Sequence, residues 1–190
     1  MSAIPENEQK YISFQKHKYV KVFRLDGSHF VRAISLVFVD TIRHLQSSLS
    51  KLVSYLPRAE FHNMIQHFGE ERFKLLTRKG VYPHEHLDSF ERFKETSLPS
   101  IEKFGSHLGC GSVYKDRDVR EMEADHISKE DYKYAQFVFE KMGCANFGEY
   151  TKLYCLTDAL LLADVFEAHR KLCMETCGLD PAHYLTSPSL

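Results

Sequence analysis

Glu149-Tyr150-Thr151-Lys152-Leu153-Tyr154-Cys155-Leu156-Thr157-Asp158-Ala159-Leu160-Leu161-Leu162-Ala163-Asp164-Val165-Phe166-Glu167 lies within the longest run of helical periodicity in the chain. Leu153, Leu156, Leu160, Leu161, Val165, Phe166 and, further on, Leu172 recur at helical spacing and form an expected buried stripe. The pattern predicts a helix from about Phe147 to Cys177, ended by Gly178. Tyr154 and Asp158 are one helical turn apart and share a face. A phenol above a carboxylate suits metal-assisted hydrolysis: the carboxylate binds a divalent ion and the phenol orients the attacking water. On spacing alone the better explanation is an interior tyrosine beside a solvated aspartate, because Tyr-x-x-x-Asp is common. Asp164 follows on the same helix but lies about 240° round it from Asp158. The two are not expected to share a metal, and Asp164 reads as a polar anchor or an exposed residue.

Upstream of this helix, Ser128-Lys129-Glu130-Asp131 is an N-terminal cap with an acidic first turn. The helix it opens directs Tyr132, Ala135, Val138 and Phe139 inward and ends near Gly143. Residues 77–112 hold Pro83, Pro99 and several glycines, and read as a long irregular excursion with short helical pieces, a length that is often functional. Shorter helices are expected over Ser47–Tyr55, stopped by Pro57, and over Arg58–Phe68, before Gly69. The only strand signals come earlier. Val20, Val22 and Phe23 lead into Leu25-Asp26-Gly27-Ser28, a hairpin turn, and Phe30–Val39 follows. Leu36-Val37-Phe38-Val39 is apolar at every position, as expected of a strand covered on both faces. Residues 1–18 read as a loose polar tail. The expected architecture is therefore α/β, mostly helical after residue 45.

Composition adds limits. The chain has 190 residues, 43% hydrophobic and 27% charged, in the ordinary range of a soluble globular protein. The formal net charge of −1 gives no global basic field to draw in nucleic acid. Its distribution is uneven. Lys10, Lys16, Lys18, Lys21, Arg24, Arg32, Arg43, Lys51 and Arg58 face only Asp26 and Asp40 over that stretch. Such a basic first third can track a phosphate backbone or be a solvated lysine-rich face. Cys110, Cys144, Cys155, Cys173 and Cys177 have no disulfide-framework spacing and suit a reducing compartment. The start MSAIPENEQK has no apolar core of a secretory signal, and the apolar run from Ala159 to Phe166 is too short to span a bilayer. A soluble intracellular protein without a membrane partner is expected.

Five segments, in order, resemble family-B DNA polymerases of the protein-primed type found in viruses, linear organellar plasmids and self-synthesising transposons. The Tyr154–Glu167 stretch resembles the third exonuclease motif. Phe38-Val39-Asp40-Thr41-Ile42-Arg43-His44-Leu45 resembles the Asp-Ser-Leu-x-x-Leu segment, with Thr41 in place of Ser and Ile42 in place of Leu. Lys79-Gly80-Val81-Tyr82-Pro83, Glu95-Thr96-Ser97-Leu98-Pro99 and Leu179-Asp180-Pro181-Ala182-His183-Tyr184 resemble further segments of the family, the last lying just before the polymerase palm. The resemblance spans about Tyr19 to Leu190.

The resemblance implies a ribonuclease-H-like 3′–5′ exonuclease domain over residues 19–178, incomplete at its N-terminus, with 179–190 leading towards a palm. It implies that Asp158 binds Mg²⁺ or Mn²⁺, that Tyr154 orients water and that Lys79 assists catalysis. Thr41, Ile42 and Leu45 would contact single-stranded DNA. The partners of an intact polymerase would be single-stranded DNA or a primer terminus, and a terminal protein. The chain departs from the family in three places. Neither the Asp-x-Glu pair on an apolar strand nor the Asn…Tyr/Phe-Asp segment of the second exonuclease motif precedes Asp40, Glu6 and Glu8 lying in a polar stretch, and no aspartate-bearing palm motif appears before Leu190. The fragment alone is therefore expected to be inactive and to bind no ion of its own. A module that holds single-stranded DNA or a protein without cleaving it, and a relic without independent function, remain open. His84-x-His86 and Cys173-x-x-x-Cys177 form no four-ligand zinc pattern, and Asp40 reads as a strand-end cap or a minor contributor to the site.

Overall fold

Aromatic and β-branched residues from Tyr11 onward favour extended chain, and Asp26-Gly27 lets it reverse. The result is a hairpin of β2 (Tyr11–Phe23) and β3 (His29–Val39), paired antiparallel without interruption from Ser13↔Val39 to Phe23↔His29. The turn closes through Arg24 N–H donating to the Ser28 carbonyl at 2.8 Å, with Gly27 at φ +80° and Asp26 Oδ1 accepting the Ser28 amide. A short β1 (Ser2–Pro5) pairs antiparallel with β2, giving the order β1-β2-β3. A computed structural model of the chain describes residues 2–5, 11–104 and 127–185. Glu6, Glu8, Lys10, Cys110, the end of the irregular excursion at 105–112 and residues 186–190 lie outside them.

Two strand expectations need correction. The sequence from Tyr11 is paired strand rather than tail, and Ser2–Pro5 pairs with it. The polar run Gln15-Lys16-His17-Lys18 interrupts the apolar residues of β2 and hides the strand from a search for apolar runs. Nor is β3 covered on both faces: Leu36, Val37 and Phe38 are 48%, 50% and 46% exposed. An unbroken apolar run reports β-propensity, and β3 is an edge strand. Where it stops, Asp40 Oδ1 accepts the Ile42 amide at 3.1 Å, the strand-end cap read from the sequence.

Beyond the sheet the described elements are helical: α1 (Ile42–Leu45), α2 (Leu49–Tyr55), α3 (His62–Phe73), α4 (Lys129–Lys141) and α5 (Phe147–Cys177). The chain is thus α/β in the broad sense, with an antiparallel sheet. Short 3₁₀ turns at Arg58–Glu60, His84–His86, Phe90–Lys94 and Ile101–Phe104 punctuate the described part of the irregular excursion and the approach to α3. Gly69, at φ +74°, breaks the helix as expected, but helical turns resume as far as Phe73. Ser128 caps α4 by accepting the Asp131 amide at 3.0 Å, and Ala135 and Val138 are buried.

Two compact units result, Met1–Ser48 with Phe166–Leu190, and Leu49–Val165. In the first, the His44 ring meets Phe166 and His169, and Arg170 pairs with Asp180. In the second, the core is aromatic: Phe61 on Phe73, Phe104 on Tyr132, and Tyr82 stacked with Phe147 and Tyr150. The buried line of α5 runs through Phe147, Tyr150, Thr157, Leu161, Asp164 and Val165. Leu156 and Leu172, expected inside, fall off that line and are 36% and 57% exposed.

Candidate functional site

The Lys79–Pro83 stretch has no regular structure, so its backbone groups need partners from elsewhere. α5 supplies them. The Tyr150 hydroxyl donates to the Val81 carbonyl at 2.6 Å, and the Tyr82 and Thr151 hydroxyls are hydrogen-bonded at 2.9 Å. The Tyr82 ring stacks on Tyr154 at 4.7 Å and on Phe147 at 5.6 Å. Gly80 permits the approach, since a Cβ there would stand 3.2 Å from Cδ2 of the Tyr154 ring. These contacts deliver Lys79 to the face of α5 that carries Tyr154 and Asp158. Lys79 Nζ lies 3.7 Å from Asp158 Oδ2.

The three residues singled out as catalytic thus form one cluster, at the same turn of α5. Burial raises the pKa of the Asp158 carboxyl, and the Lys79 charge opposes that rise. Burial, and then the Asp158 charge, push the Tyr154 phenol well above its ordinary range. Asp158 Oδ1 is buried and has no hydrogen-bond partner. His84, considered above only as a zinc ligand, is a fourth member. Its ring meets the Tyr154 edge at 6.0 Å, and its pKa is lowered by burial and by Lys79, with Asp158 opposing. Only its position one residue past Lys79-Gly80-Val81-Tyr82-Pro83 could have placed it here.

His86 turns elsewhere, onto Glu95 at 2.8 Å and the Phe147 ring. Cys173 is buried beside His169, with Sγ 3.6 Å from Nε2, whereas Cys177 is exposed. Thr41 and Leu45 are half-buried and Ile42 is 54% exposed, all in the first unit, whereas the Asp158 cluster belongs to the second.

Asp164 resolves as the polar anchor. It is buried, Oδ1 accepts the backbone and side-chain amides of Asn63 at 2.7 and 2.8 Å, and Oδ2 accepts the Met64 amide at 3.1 Å. Those backbone amides belong to the first turn of α3, whose N-cap, Phe61, offers no side-chain acceptor.

A two-metal centre needs several carboxylates around ions about 4 Å apart. Among the described residues no three His, Cys, Asp or Glu side chains converge on a point. Among the described residues Asp158 is a lone carboxylate beside Lys79, and that donor set does not fit a two-metal site. No helix among the described residues is long and apolar enough to cross a membrane. No family model, curated protein or solved structure matches the chain.

Proposed function

We propose that the chain carries part of the 3′–5′ exonuclease domain of a DNA-directed DNA polymerase of family B, of the protein-primed type. The observation that carries this reading is Lys79 beside Asp158, one turn from Tyr154. Lys79 lies in one segment that resembles the family and the Tyr154–Asp158 pair in another, far along the chain, and the fold brings them to one cluster. In this reading β2 and β3 are strands of a ribonuclease-H-like sheet. In the intact polymerase Asp158 would be one ligand of the catalytic Mg²⁺ or Mn²⁺, the remaining ligands coming from outside this cluster, and the ion would supply an activated water and a Lewis acid for phosphodiester hydrolysis. Tyr154 positions water, Lys79 offsets negative charge at the scissile phosphate, and Thr41, Ile42 and Leu45 contact the single-stranded primer end.

By itself, the chain holds DNA without cutting it, because its described residues bring a single carboxylate to the site. The exposed Lys16, Lys18, Lys21 and Arg32 of the hairpin give that binding an electrostatic component. Purified chain with Mg²⁺ or Mn²⁺ should leave single-stranded DNA intact while binding it with an affinity that falls steeply with salt. Hydrolysis that disappears in Asp158→Ala would show that the remaining carboxylates are present after all. Coding sequence on either side of this segment tests the family itself: an Asp-x-Glu pair on an apolar strand upstream and aspartate-bearing palm motifs downstream are expected, and unrelated sequence on both sides would overturn the assignment.

A further inference from the structure

The two edges of the sheet differ. On the β1 side, Pro5 and a register shift between Ile4 and Pro5 interrupt the strand, the usual means of blunting an edge. The β3 edge has no such device. His29-Phe30-Val31-Arg32-Ala33-Ile34-Ser35-Leu36-Val37-Phe38-Val39 contains no proline and a single formal charge, and its pairing with β2 runs without a bulge. Among the described residues no strand pairs with its outer backbone groups, the order being β1-β2-β3.

The order of residues in β3 shows what fits there. Read outward from Ile34 the strand is nearly a chemical palindrome: Ala33 and Ser35, Arg32 and Leu36, Val31 and Val37, Phe30 and Phe38, His29 and Val39. An antiparallel neighbour of the same sequence, centred on Ile34, therefore sets Ile against Ile, Val31 against Val37, and Phe30 against Phe38. Small residues face small ones, and each Arg32 lies across from an aliphatic Leu36. No like charges meet. Aromatic–aromatic and β-branched pairs are the cross-strand combinations that stabilise antiparallel sheets. Phe38 already stacks on Phe14 of β2, with ring centroids at 4.5 Å. Phe30 of the second strand extends that row. Such self-complementarity is what a two-fold interface requires, and it closes at two chains because the opposite edge is guarded, by Pro5 in β1 and, along residues 16–23 of β2 that β1 does not reach, by Lys16, Lys18 and Lys21.

We propose that β3 is the edge of a two-fold homodimer, in which two copies of the chain join their sheets into a continuous six-stranded sheet through antiparallel β3–β3 pairing centred on Ile34. The interface rests on β3 alone. It stands if the exonuclease reading fails, and its own failure leaves that reading untouched.

Sedimentation equilibrium of the 1–190 chain, in the absence of DNA, should show a concentration-dependent monomer–dimer equilibrium. Ile34→Lys places two ammonium groups at the two-fold axis and should give monomer, with far-UV circular dichroism unchanged because Ile34 is an exposed side chain. Leu36→Glu separates this register from general stickiness. It sets each new carboxylate across from Arg32 of the second copy, so the dimer should persist or tighten severalfold. Arg32→Glu with Leu36→Glu sets like charges across from one another and should break it. A chain monomeric at all concentrations, open-ended aggregates, a dimer that survives Ile34→Lys, or one lost in Leu36→Glu would each overturn the proposal.

Discussion

Asp158 and Asp164 share one helix and one unit of the molecule, yet their surroundings are opposite. Asp164 is buried and meets three N–H donors, two of them the backbone amides that open α3. Asp158 is half-buried, with Oδ2 3.7 Å from Lys79, the Tyr154 hydroxyl beside the carboxylate, and Oδ1 without a hydrogen-bond partner. A carboxylate met by several donors is a structural part, because the charge is compensated and nothing further can bind it. A carboxylate held out of water with an unused oxygen contributes little to stability and is available to a ligand, so it marks a candidate site. The pair shows that burial alone does not separate the two roles; the count of partners does.

The sharpest way to break this contrast is to remove Asp164. Asp164→Ala leaves the Asn63 and Met64 amides buried without an acceptor and takes the cap from α3. Unsatisfied buried donors cost about 1–3 kcal/mol each, and a lost cap about 1 kcal/mol. Urea unfolding should show a loss of roughly 3 kcal/mol. Asp164→Asn, which keeps one acceptor oxygen, should lose less. Asp158→Ala should lose well under half of the Asp164→Ala figure. If the two alanine variants were equally destabilised, the distinction between anchor and site would fail.

The same pair shows what the sequence could and could not disclose. The bounds of α5 follow from Gly178 and the long apolar period, and the α4 cap from Ser128 three residues before Asp131. Which face of α5 turns inward does not follow. Thr157 and Asp164 are buried while Leu156 and Leu172 are not, because Asp164 is drawn in by amides 100 residues away in sequence. No window on α5 contains that information. The Lys79–Asp158 meeting was reachable only through the resemblance of two separate segments to one family. His84 was missed because its role depends on where an irregular stretch, read as loop, comes to rest against a helix. The exposure of β3 is hidden for a related reason: an unbroken apolar run reports propensity, and cover depends on what else is present to pack.

Gly80 offers a second way to sharpen the contrast, at the site rather than the anchor. Its hydrogen stands where a Cβ would press to 3.2 Å on the Tyr154 ring. Gly80→Ala should cost about 1 kcal/mol, as modest overpacking does. The variant should also move Lys79 relative to Asp158, because Tyr82 and Tyr154 stack as one group. Nuclear magnetic resonance of the Tyr154 ring should report the shift, while the α3 amides held by Asp164 keep their positions. Displacement of those amides as well would mean that the packing around the two carboxylates moves as one, and the contrast between anchor and site would weaken.

The smallest expected effect is a pH dependence, and it carries the sign that distinguishes Asp158 from ordinary paired carboxylates. Its pKa in the folded chain is raised above the usual 3.8 by burial, despite Lys79. The folded state therefore holds the proton more tightly than the unfolded state. The stability this group contributes is fully present below the unfolded pKa and is lost as pH rises through the folded pKa. Glu95, Asp88 and Asp180, held low by His86 or arginine partners, have the reverse sign and lose stability on acidification. These groups work against Asp158 in acid, so Asp158 becomes visible only as a difference between variant and parent. Asp158→Asn should gain stability relative to the parent chain as pH rises from 3 through the weakly acidic range, then run parallel to it at neutral pH. Adding Lys79→Met to the parent chain removes the charge that opposes the rise, so the window should move to higher pH. Urea unfolding at a series of pH values measures both. A difference between Asp158→Asn and parent that stays constant with pH would mean that Asp158 is as well solvated in the folded chain as in the unfolded one, and the unused oxygen would then mark no site.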